Sequence, residues 1–506
     1  MTDLPTPVPT IFTALVGADH VLTSTVDRVF YSHDIIWPFT RSIADAVVRP
    51  GTVDELAAVV RAATSNGIAV FPRGGGYTYT GCYSPDRNRS IVLDLQRLDR
   101  IVEIDAINDS VTVEAGVTWG KLFDALDAKG LRVPSFGPLS GYGATVGGSA
   151  STDASFFGSA SYGAIGDHVL DLDVVAADGR IVKSAGNKLF VGDCGALGVK
   201  ARVTLRTIKR PGATVFASFA FADAAGWANG LIALKGLPGL GEAFGFDPGT
   251  HRNLTKTGFS VLESTAIAGD LLRARGNWFD KLSGLVRTAR AGKAFIADLQ
   301  YSLHLAIDGA DEAAAQASRD EAGRILAGHG GELIPDVIPR VTRSRPFRPV
   351  KSFLGPDGEN WMPVNAILPL ANGAAAVAAI ETMVKSRRDA LDHYGIRTTI
   401  LTLLTKDKMI VEPQIFWPDR LNTFHRRMGL PDMVAAHGED PENRTARMAA
   451  HALRDVMRET LDRFDAAHYQ IGRYYQPERE PNQAARRALK AELDPKRLIN
   501  PGVLGL

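Results

Sequence analysis

The sequence predicts an α+β fold divided between two domains. A helix followed by a strand begins near residue 49, and a series of short strands continues to residue 116. Two strand–helix–strand units of similar length lie between residues 296 and 404, which suggests one open sheet with helices on one side. A chain of 506 residues is long enough for two or more domains.

The composition is ordinary for a globular protein, with 45% hydrophobic and 22% charged residues. A net charge of +1 gives no electrostatic reason to expect nucleic acid or an anionic membrane as a partner. The two cysteines, Cys82 and Cys194, form neither a disulfide framework nor a metal-ligand spacing, which is typical of a reducing compartment. With no signal peptide and no long apolar run, we expect a cytoplasmic protein without a membrane span.

The first predicted helix begins at Thr52 and Glu55, which have the spacing of a capping box. Its buried face is formed by apolar residues at helical spacing, namely Leu56, Val59, Val60 and Ala63. The strand that follows, Ile68–Phe71, ends at the stretch FPRGGGYTYTG (residues 71–81). Further strands are predicted near residues 90–95, 100–105 and 110–116, a helix at 119–129, and a hairpin turn at Asp178-Gly179.

The three consecutive glycines, Gly74 to Gly76, expose main-chain N–H groups that suit an anion such as phosphate. No Gly-Lys-Ser/Thr follows, and no helix starts there, so neither the Walker loop nor the G-x-G-x-x-G fingerprint of dinucleotide-binding folds applies. A plain surface turn is the alternative. A second run of small residues at 146–163, VGGSASTDASFFGSASYG, favours one large phosphorylated cofactor held between the two segments.

Four ordered stretches resemble the vanillyl-alcohol oxidase/p-cresol methylhydroxylase (PCMH) flavoprotein family: residues 49–81, 146–182, 195–205 and the terminal LDPKRLINPG. The resemblance implies a PCMH-type FAD-binding domain with two subdomains, plus a cap domain with an antiparallel sheet and flanking helices. The implied boundaries are 1–212 for the FAD-binding domain, 213–455 for the cap, and 456–506 for a segment that returns to the FAD-binding domain.

FAD is therefore the expected cofactor. The resemblance implies that it is bound by Arg73, Gly74, Gly75, Gly76, Tyr77, Thr78, Thr145, Gly148, Ser151, Thr152, Ser155, Gly158, Ser161, Val199 and Asn500. Family members often attach the flavin covalently through a histidine, but Tyr77 occupies that position here. Three other residues could attach the flavin only by their position in the chain. We expect Cys82 to be packed in the interior, and His393 and His425 to lie at the surface. We therefore expect noncovalent FAD.

Similarity to the phenol-oxidising branch of the family implies oxidation of a small aromatic alcohol or para-substituted phenol, with hydride transfer to flavin N5. Tyr79, Tyr162 and Tyr474 match three substrate-site tyrosines, whose hydroxyls can bind a phenolate. The branch has an arginine after its last tyrosine; here Arg473 precedes Tyr474 instead. The expected catalytic carboxylate is also missing, since Thr145 occupies its position and Asp153 is the nearest acid.

A D-2-hydroxy-acid dehydrogenase of the same superfamily is the alternative, because HYQIGRYY resembles its HGIGR segment. In that case Arg348, Lys351 or Arg473 would bind the substrate carboxylate, and His468 would act as the base. The histidine-rich metal motif of many such enzymes is absent. Its region offers only Glu412 and Asp419, so we expect no metal.

Two further readings are a non-redox FAD-dependent transferase, as in ether-lipid synthesis, and a flavin-binding protein without activity. The transferase reading lacks that enzyme's multi-histidine loop. The expected partners are a small-molecule substrate and an electron acceptor, either oxygen or a redox protein. The sequence does not fix the oligomeric state, although members of the family are often homodimers or larger assemblies.

Overall fold

A computed structural model describes residues 7–36, 42–186, 188–257, 296, 298–344, 346–347, 353–468, 470–475 and 482–506. The mixture of helices and sheets confirms the predicted α+β class. No helix within these ranges combines the length and the apolar character needed to cross a bilayer.

The first part of the chain, up to Lys209, is built from short strands and helices. Its strands are β1 (Val21–Leu22), β2 (Ala46–Val48), β3 (Ala69–Arg73), β4 (Ser90–Asp94), β5 (Ile101–Asp105), β6 (Ser110–Glu114), β7 (Leu131–Arg132), β8 (Val169–Val175), β9 (Ile181–Lys183), β10 (Val199–Arg206) and β11 (Ile208–Lys209). Its helices are α1 (Val8–Val16), α2 (Thr25–Ser32), α3 (Val53–Ser65), α4 (Trp119–Asp127), α5 (Val146–Thr152) and α6 (Ser159–Tyr162).

These strands form two main sheets. The first has the order β1-β2-β4-β3, with β2, β4 and β3 parallel, and the second is antiparallel with the order β5-β6-β10-β8-β9. Helix α3 packs with the first sheet through the apolar face predicted from its spacing. Its start differs from a reciprocal capping box: Thr52 accepts the N–H of Glu55 at 3.1 Å, but the Glu55 carboxylate accepts the N–H of Gly51 at 2.7 Å.

The second part of the chain alternates longer strands and helices. Its strands are β12 (Ala213–Phe221), β13 (Leu240–Phe246), β14 (Tyr301–Gly309), β15 (Glu332–Ile334), β16 (Asn360–Pro363), β17 (Ala366–Pro369), β18 (Arg397–Thr405) and β19 (Lys408–Trp417). Its helices are α7 (Ala224–Ala233), α8 (Pro248–Thr257), α9 (Glu312–Ala327), α10 (Val337–Ser344), α11 (Leu370–Lys385), α12 (Arg388–His393), α13 (Thr423–Met428), α14 (Pro431–His437), α15 (Arg444–Asp462) and α16 (Gln483–Leu493).

All eight strands of this part join one antiparallel sheet with the order β15-β12-β14-β13-β18-β19-β16, and β17 also pairs with β19. Apolar residues of α7, α9, α11 and α15 form a single core with one face of this sheet. Because side chains alternate between the faces of a strand, the other residues of β18 and β19 point to the opposite face. That opposite face looks toward the first part of the chain and helps to form the cavity described below.

A buried ion network joins the two parts. Arg343 on α10 donates to both Glu242 on β13 and Asp308 on β14. Arg132, from β7 of the first part, donates to the second oxygen of Asp308 at 2.8 Å. Glu242 also accepts the N–H of Gly158 at 2.8 Å, so the network fixes the start of α6 against the large sheet.

The segment after α15 connects the large sheet back to the first part. Ala467 exchanges two main-chain hydrogen bonds with Ile367 on β17, at 2.8 and 2.9 Å. Farther along, Val70 on β3 donates to Leu498 O at 2.8 Å and accepts from Asn500 N at 2.7 Å. Strand β3, which leads directly into the glycine run, thus has residues 498–500 along its free edge.

A chain of buried polar groups crosses the large sheet. His304 on β14 contacts the hydroxyls of Ser218 and Ser302 at 2.9 and 2.7 Å, and Ser302 contacts His251 on α8 at 2.8 Å. Burial disfavours the imidazolium form, so the pKa of His251 falls from 6.5 to about 4 and that of His304 falls well below its ordinary value. Both rings are therefore neutral in the folded protein.

The folded protein should lose stability as the pH falls below about 6.5, because the unfolded chain then binds protons that these buried rings do not. One histidine whose pKa falls from 6.5 to about 4 accounts for about 2 kcal/mol at about pH 5. We expect His304→Asn, which carries no titratable ring, to flatten the fall in melting temperature measured between about pH 7.5 and pH 5. The exposed His329→Asn is the control, and an equal slope in both variants would contradict the assignment.

Candidate functional site

A cavity of about 470 Å³ lies between the two small-residue segments of the first part and the large sheet of the second. The first part contributes residues 74–79, most of residues 144–156, and the start of β10. The second part contributes side chains from β13, α8, β16, β18 and β19. One cavity thus brings together the two glycine-rich segments and the inner face of the sheet.

The glycine run makes its close contacts with the loop before α5. A side-chain carbon on Gly75 would lie 1.9 Å from Gly143 O, and one on Gly74 would lie 2.3 Å from the Thr145 hydroxyl. Gly76 has φ of +82°, a conformation that glycine adopts without strain. Any larger residue at these positions would push the two segments apart.

Arg73 holds this loop from the side away from the cavity. Its guanidinium is buried among the rings of Phe30, Tyr31 and Tyr83, at 5.2, 4.7 and 5.3 Å. It donates to the carbonyl oxygens of Gly74 and Gly75 at 3.3 and 3.4 Å. Within the described part of the chain, the main-chain N–H groups of residues 74–77 donate no hydrogen bond. Four consecutive free amides beside a cavity fit a diphosphate.

The second segment begins at Thr145, whose hydroxyl accepts the N–H of Gly148 and caps α5. Gly147 lies so close to β6 that an added carbon would be 2.5 Å from the side chain of Ala115. Ser149 accepts the indole N–H of Trp119 at 2.8 Å, which fixes α5 against α4. The small residues here allow close packing and leave hydroxyl groups at the cavity wall.

Ten of the fifteen predicted cofactor-binding residues line the cavity: Gly74, Gly75, Gly76, Tyr77, Thr78, Thr145, Gly148, Ser151, Thr152 and Ser155. The structure places the other five behind the wall. Arg73 supports the loop, Gly158 is bound to Glu242, and Ser161 lies within α6. Val199 is buried in the core of the first part, and Asn500 donates to the carbonyl oxygens of Cys82 and Cys194 at 2.8 and 2.7 Å.

Cys82 and Cys194 themselves are free, buried and on the cavity wall, in keeping with the prediction that Cys82 is packed. Beside them Lys200 also lines the cavity, but its ammonium group is 2.5 Å from the buried carboxylate of Asp193. The positive charge of Lys200 is therefore balanced by a carboxylate of the protein itself.

The wall formed by the large sheet is mainly apolar, with Phe246, Trp361, Leu401, Leu403 and Ile410. Glu412 and Gln414 alternate with Ile410 along β19 and line the same wall. Burial raises the pKa of Glu412 to about 7, although Gln414 Nε2 donates to its carboxylate at 2.7 Å. Its partial exposure is to the cavity, so this carboxyl group can gain or lose a proton near neutral pH beside a bound molecule.

Of the five predicted catalytic residues, only Tyr79 lines the cavity. Its ring lies edge-on to Trp361, with centroids 5.9 Å apart, and its hydroxyl accepts from the side-chain amide of Asn365. Tyr79 therefore brings a phenolic hydroxyl to the end of the cavity that contains Glu412.

The structure does not bring the other four to the cavity wall. Tyr474 donates to Asp455 at 2.7 Å and stacks with Arg454 on the surface of α15, whereas Tyr162 is exposed at the end of α6. Arg473 donates to Asp86 and to Pro501 O. His468 is buried between Asn365 O and Asp462. The buried tyrosine of this segment is Tyr475, whose hydroxyl accepts the N–H of Asn365 at 3.1 Å.

His425 is fully buried and completes the cap of α13, so the expectation of a surface residue is wrong for it. Neither His425 nor His393 lines the cavity. Arg348 and Lys351, the cations considered for a substrate carboxylate, lie outside the described residues. Within the described ranges no three histidine, cysteine, aspartate or glutamate side chains gather in a way that suits a metal ion.

Sequence reasoning considered Glu412 only as a metal ligand and missed Gln414 and Asn365. The alternation of IVEPQIFW could have located the first two, since it puts Ile410, Glu412 and Gln414 on one strand face. A carboxylate on a strand face that is otherwise apolar indicates a group with a special role.

Comparison with known proteins agrees with the cavity geometry. Residues 44–185 match the family model described as FAD binding domain. The glycine run, the second small-residue segment and helix α3 all lie within this match. The free amides of residues 74–77 fit the diphosphate of FAD, and FAD is the cofactor of this chain.

Two sequence relatives are similar over parts of the chain. Glycolate oxidase subunit GlcD of Bacillus subtilis is 29% identical over 236 residues, which cover 44% of this chain and 50% of that protein. D-lactate dehydrogenase of Archaeoglobus fulgidus is 36% identical over 172 residues, which cover 32% of this chain and 38% of that protein. The chain thus matches half or less of the length of these curated relatives.

Among solved structures, p-cresol methylhydroxylase with substrate bound superposes with a TM-score of 0.73 at 16% identity. The superposition covers 99% of this chain and 96% of that one. At this identity the likeness concerns the fold, and it confirms the predicted PCMH-type architecture. The narrower resemblance to vanillyl-alcohol oxidase is not established by these comparisons.

Replacing Gly75 with alanine should weaken FAD binding at least tenfold, because the added carbon cannot fit beside Gly143 O. The measurement is the FAD content of the purified protein from its visible absorbance, followed by titration of the apoprotein with FAD. Gly323→Ala is the control, since nothing lies within 4 Å of an added carbon there. Full FAD content in Gly75→Ala would contradict the role of the glycine run.

Proposed function

Because the cofactor of this chain is FAD, we propose that the protein is an FAD-dependent oxidoreductase that oxidises a small aromatic alcohol or a para-substituted phenol. The observation that carries the proposal is the pair of Glu412 and Tyr79, both close to Asn365, at the mainly apolar wall that the large sheet gives the cavity. When bound, FAD supplies a two-electron oxidant that can accept a hydride from a substrate carbon. Electrons then pass to oxygen or to a redox protein.

The residues of the pocket suit an uncharged, ring-containing substrate. Phe246, Trp361 and Leu403 offer apolar surface for a ring. Tyr79 offers a hydroxyl that can hydrogen-bond the substrate oxygen, and Glu412 can take the proton from a substrate hydroxyl. The apolar wall excludes water around these two groups. Noncovalent binding of FAD is part of the proposal, since Tyr77 stands where a histidine would make the bond.

A second candidate is the oxidation of a 2-hydroxy acid, which the names of the sequence relatives favour. Such a substrate carries a carboxylate, which needs a cation in the pocket. Among the described lining residues the only lysine or arginine is Lys200, which is paired with Asp193. Glu412, when ionised, repels a second carboxylate. These charges favour the neutral alcohol.

The two candidates can be separated with substrates that differ in charge. We expect 4-hydroxybenzyl alcohol to bleach the flavin absorbance of the holoenzyme in the absence of oxygen, because it is neutral and fits an apolar wall. 4-Hydroxymandelate, which has the same ring and an added carboxylate, and D-lactate should bleach it at least tenfold more slowly. Faster reduction by the acids would establish the second candidate, and no reduction by any of the three would remove both.

Activity should rise with pH through about 7 and then level off, because Glu412 must be ionised to accept the hydroxyl proton. Below the pKa, kcat/KM should fall about tenfold per pH unit. Glu412→Gln should lower kcat/KM about 100-fold or more and remove this dependence, with the flavin spectrum retained.

Glu381→Gln is the matched control, because that carboxylate binds the Tyr301 hydroxyl at 2.6 Å and does not line the cavity. A wild-type pH profile in the Glu412 variant would show that another group accepts the proton.

A further inference from the structure

Asn365 occupies a special position in the large sheet. It lies in the two-residue gap between β16 and β17, both of which pair with β19. The register pairs Pro363 with Gln414 and Ala366 with Val411, so Asn365 lies opposite Glu412. The residue is fully buried.

Its side chain hydrogen-bonds Tyr79, and the sheet register places it opposite Glu412. Asn365 Nδ2 donates to the Tyr79 hydroxyl. The same amide faces the Glu412 carboxylate and opposes the rise in its pKa that burial causes. An amide nitrogen carries two hydrogens, which matches one phenolic oxygen and one carboxylate as acceptors.

Its main chain is held by the segment after α15. The N–H of Asn365 donates to Tyr475 Oη at 3.1 Å, and its carbonyl oxygen is in contact with His468 Nδ1. His468 Nε2 lies 3.0 Å from Asp462 Oδ1, and its ring stacks on Tyr475 with centroids 3.9 Å apart. Both polar groups of the Asn365 backbone therefore have partners, and those partners support one another.

Among the described residues, Asn365 contacts three titratable groups in the surroundings of Glu412. Tyr79 comes from the loop after the glycine run, and Tyr475 and His468 come from the segment after α15. The neighbouring strand β18 contributes Leu401, the register partner of Glu412, which carries no charge. Asn365 contacts all three of these groups and also lies opposite Glu412 in the sheet.

We propose that Asn365 is the positioning residue of the site: its side-chain amide holds the Tyr79 hydroxyl and the Glu412 carboxylate in one arrangement, and His468 and Tyr475 fix its backbone. This rests on the proposed function in taking Glu412 as the proton acceptor. In this arrangement His468 acts indirectly: it holds the Asn365 backbone, and Asn365 in turn positions Tyr79 and Glu412. No residue of the sequence motifs points to this role, because Asn365 is distant from them in the chain.

The test follows the protonation of Glu412 with and without turnover. In resting holoenzyme, the infrared carboxyl band that disappears in Glu412→Gln is titrated with pH. Asn365→Ala removes both N–H donors, and Asn365→Asp, which has the same size, puts acceptors in their place. We expect the midpoint of the band to move upward by at least half a pH unit in both, and the acid limb of kcat/KM to move with it.

Asn360→Ala is the matched control, because Asn360 is a buried asparagine in the same sheet whose amide donates to main-chain oxygens of residues 419 and 420. It should leave the midpoint of the carboxyl band unchanged. His468→Gln should retain the acid limb, whereas loss of that limb would make His468 the base.

An unchanged midpoint in Asn365→Asp that still binds FAD would overturn the proposal, even if Asn365→Ala does not fold. A shifted midpoint in a protein that oxidises none of the substrates would support the positioning role and remove the proposed function instead.

Discussion

The close approach of two main-chain segments is the constraint on which the site depends. Gly75 lies where a single added carbon would overlap the carbonyl oxygen of Gly143, so the glycine run and the loop before α5 touch backbone to backbone. Arg73 binds the carbonyl groups of the run from behind, and the amides stay free on the other side. The loss of backbone freedom that three glycines incur on folding is the cost of this wall.

The second wall follows from the alternation of a β-strand rather than from a loop. One face of β18 and β19 belongs to the helix-covered core, and five residues of the opposite face line the cavity: Leu401, Leu403, Ile410, Glu412 and Gln414. Apolar side chains at most of these positions give a low dielectric around Glu412. The apolar side chains that line this wall also raise the pKa of the carboxyl group to about 7. The polarity of the wall and the protonation of Glu412 therefore have one physical origin.

The fold and the cofactor wall could be predicted because local patterns specify them. Helix α3 follows from its apolar spacing and Thr52. The glycine run is three consecutive glycines at a strand end, and the second small-residue segment favours a cofactor over a plain turn. The residues of the proposed catalytic site could not be predicted in this way. Tyr474 and Tyr475 are adjacent, and only the packing of α15 decides that the first turns to Asp455 and the second to Asn365. Contacts between Tyr79, Asn365 and Glu412 join three distant segments, a relation that no local pattern contains.

Residues 498–500 bind the edge of β3, and the Asn500 amide spans the backbones of Cys82 and Cys194, the former 418 residues earlier in the chain. Contacts so far apart in sequence form late, because a very long loop must close before they are gained. During synthesis the glycine run therefore leaves the ribosome long before its flanking strand has its final neighbour. The part of the cavity wall that Cys82 and Cys194 form therefore gains the support of Asn500 only after residue 500 has been synthesised.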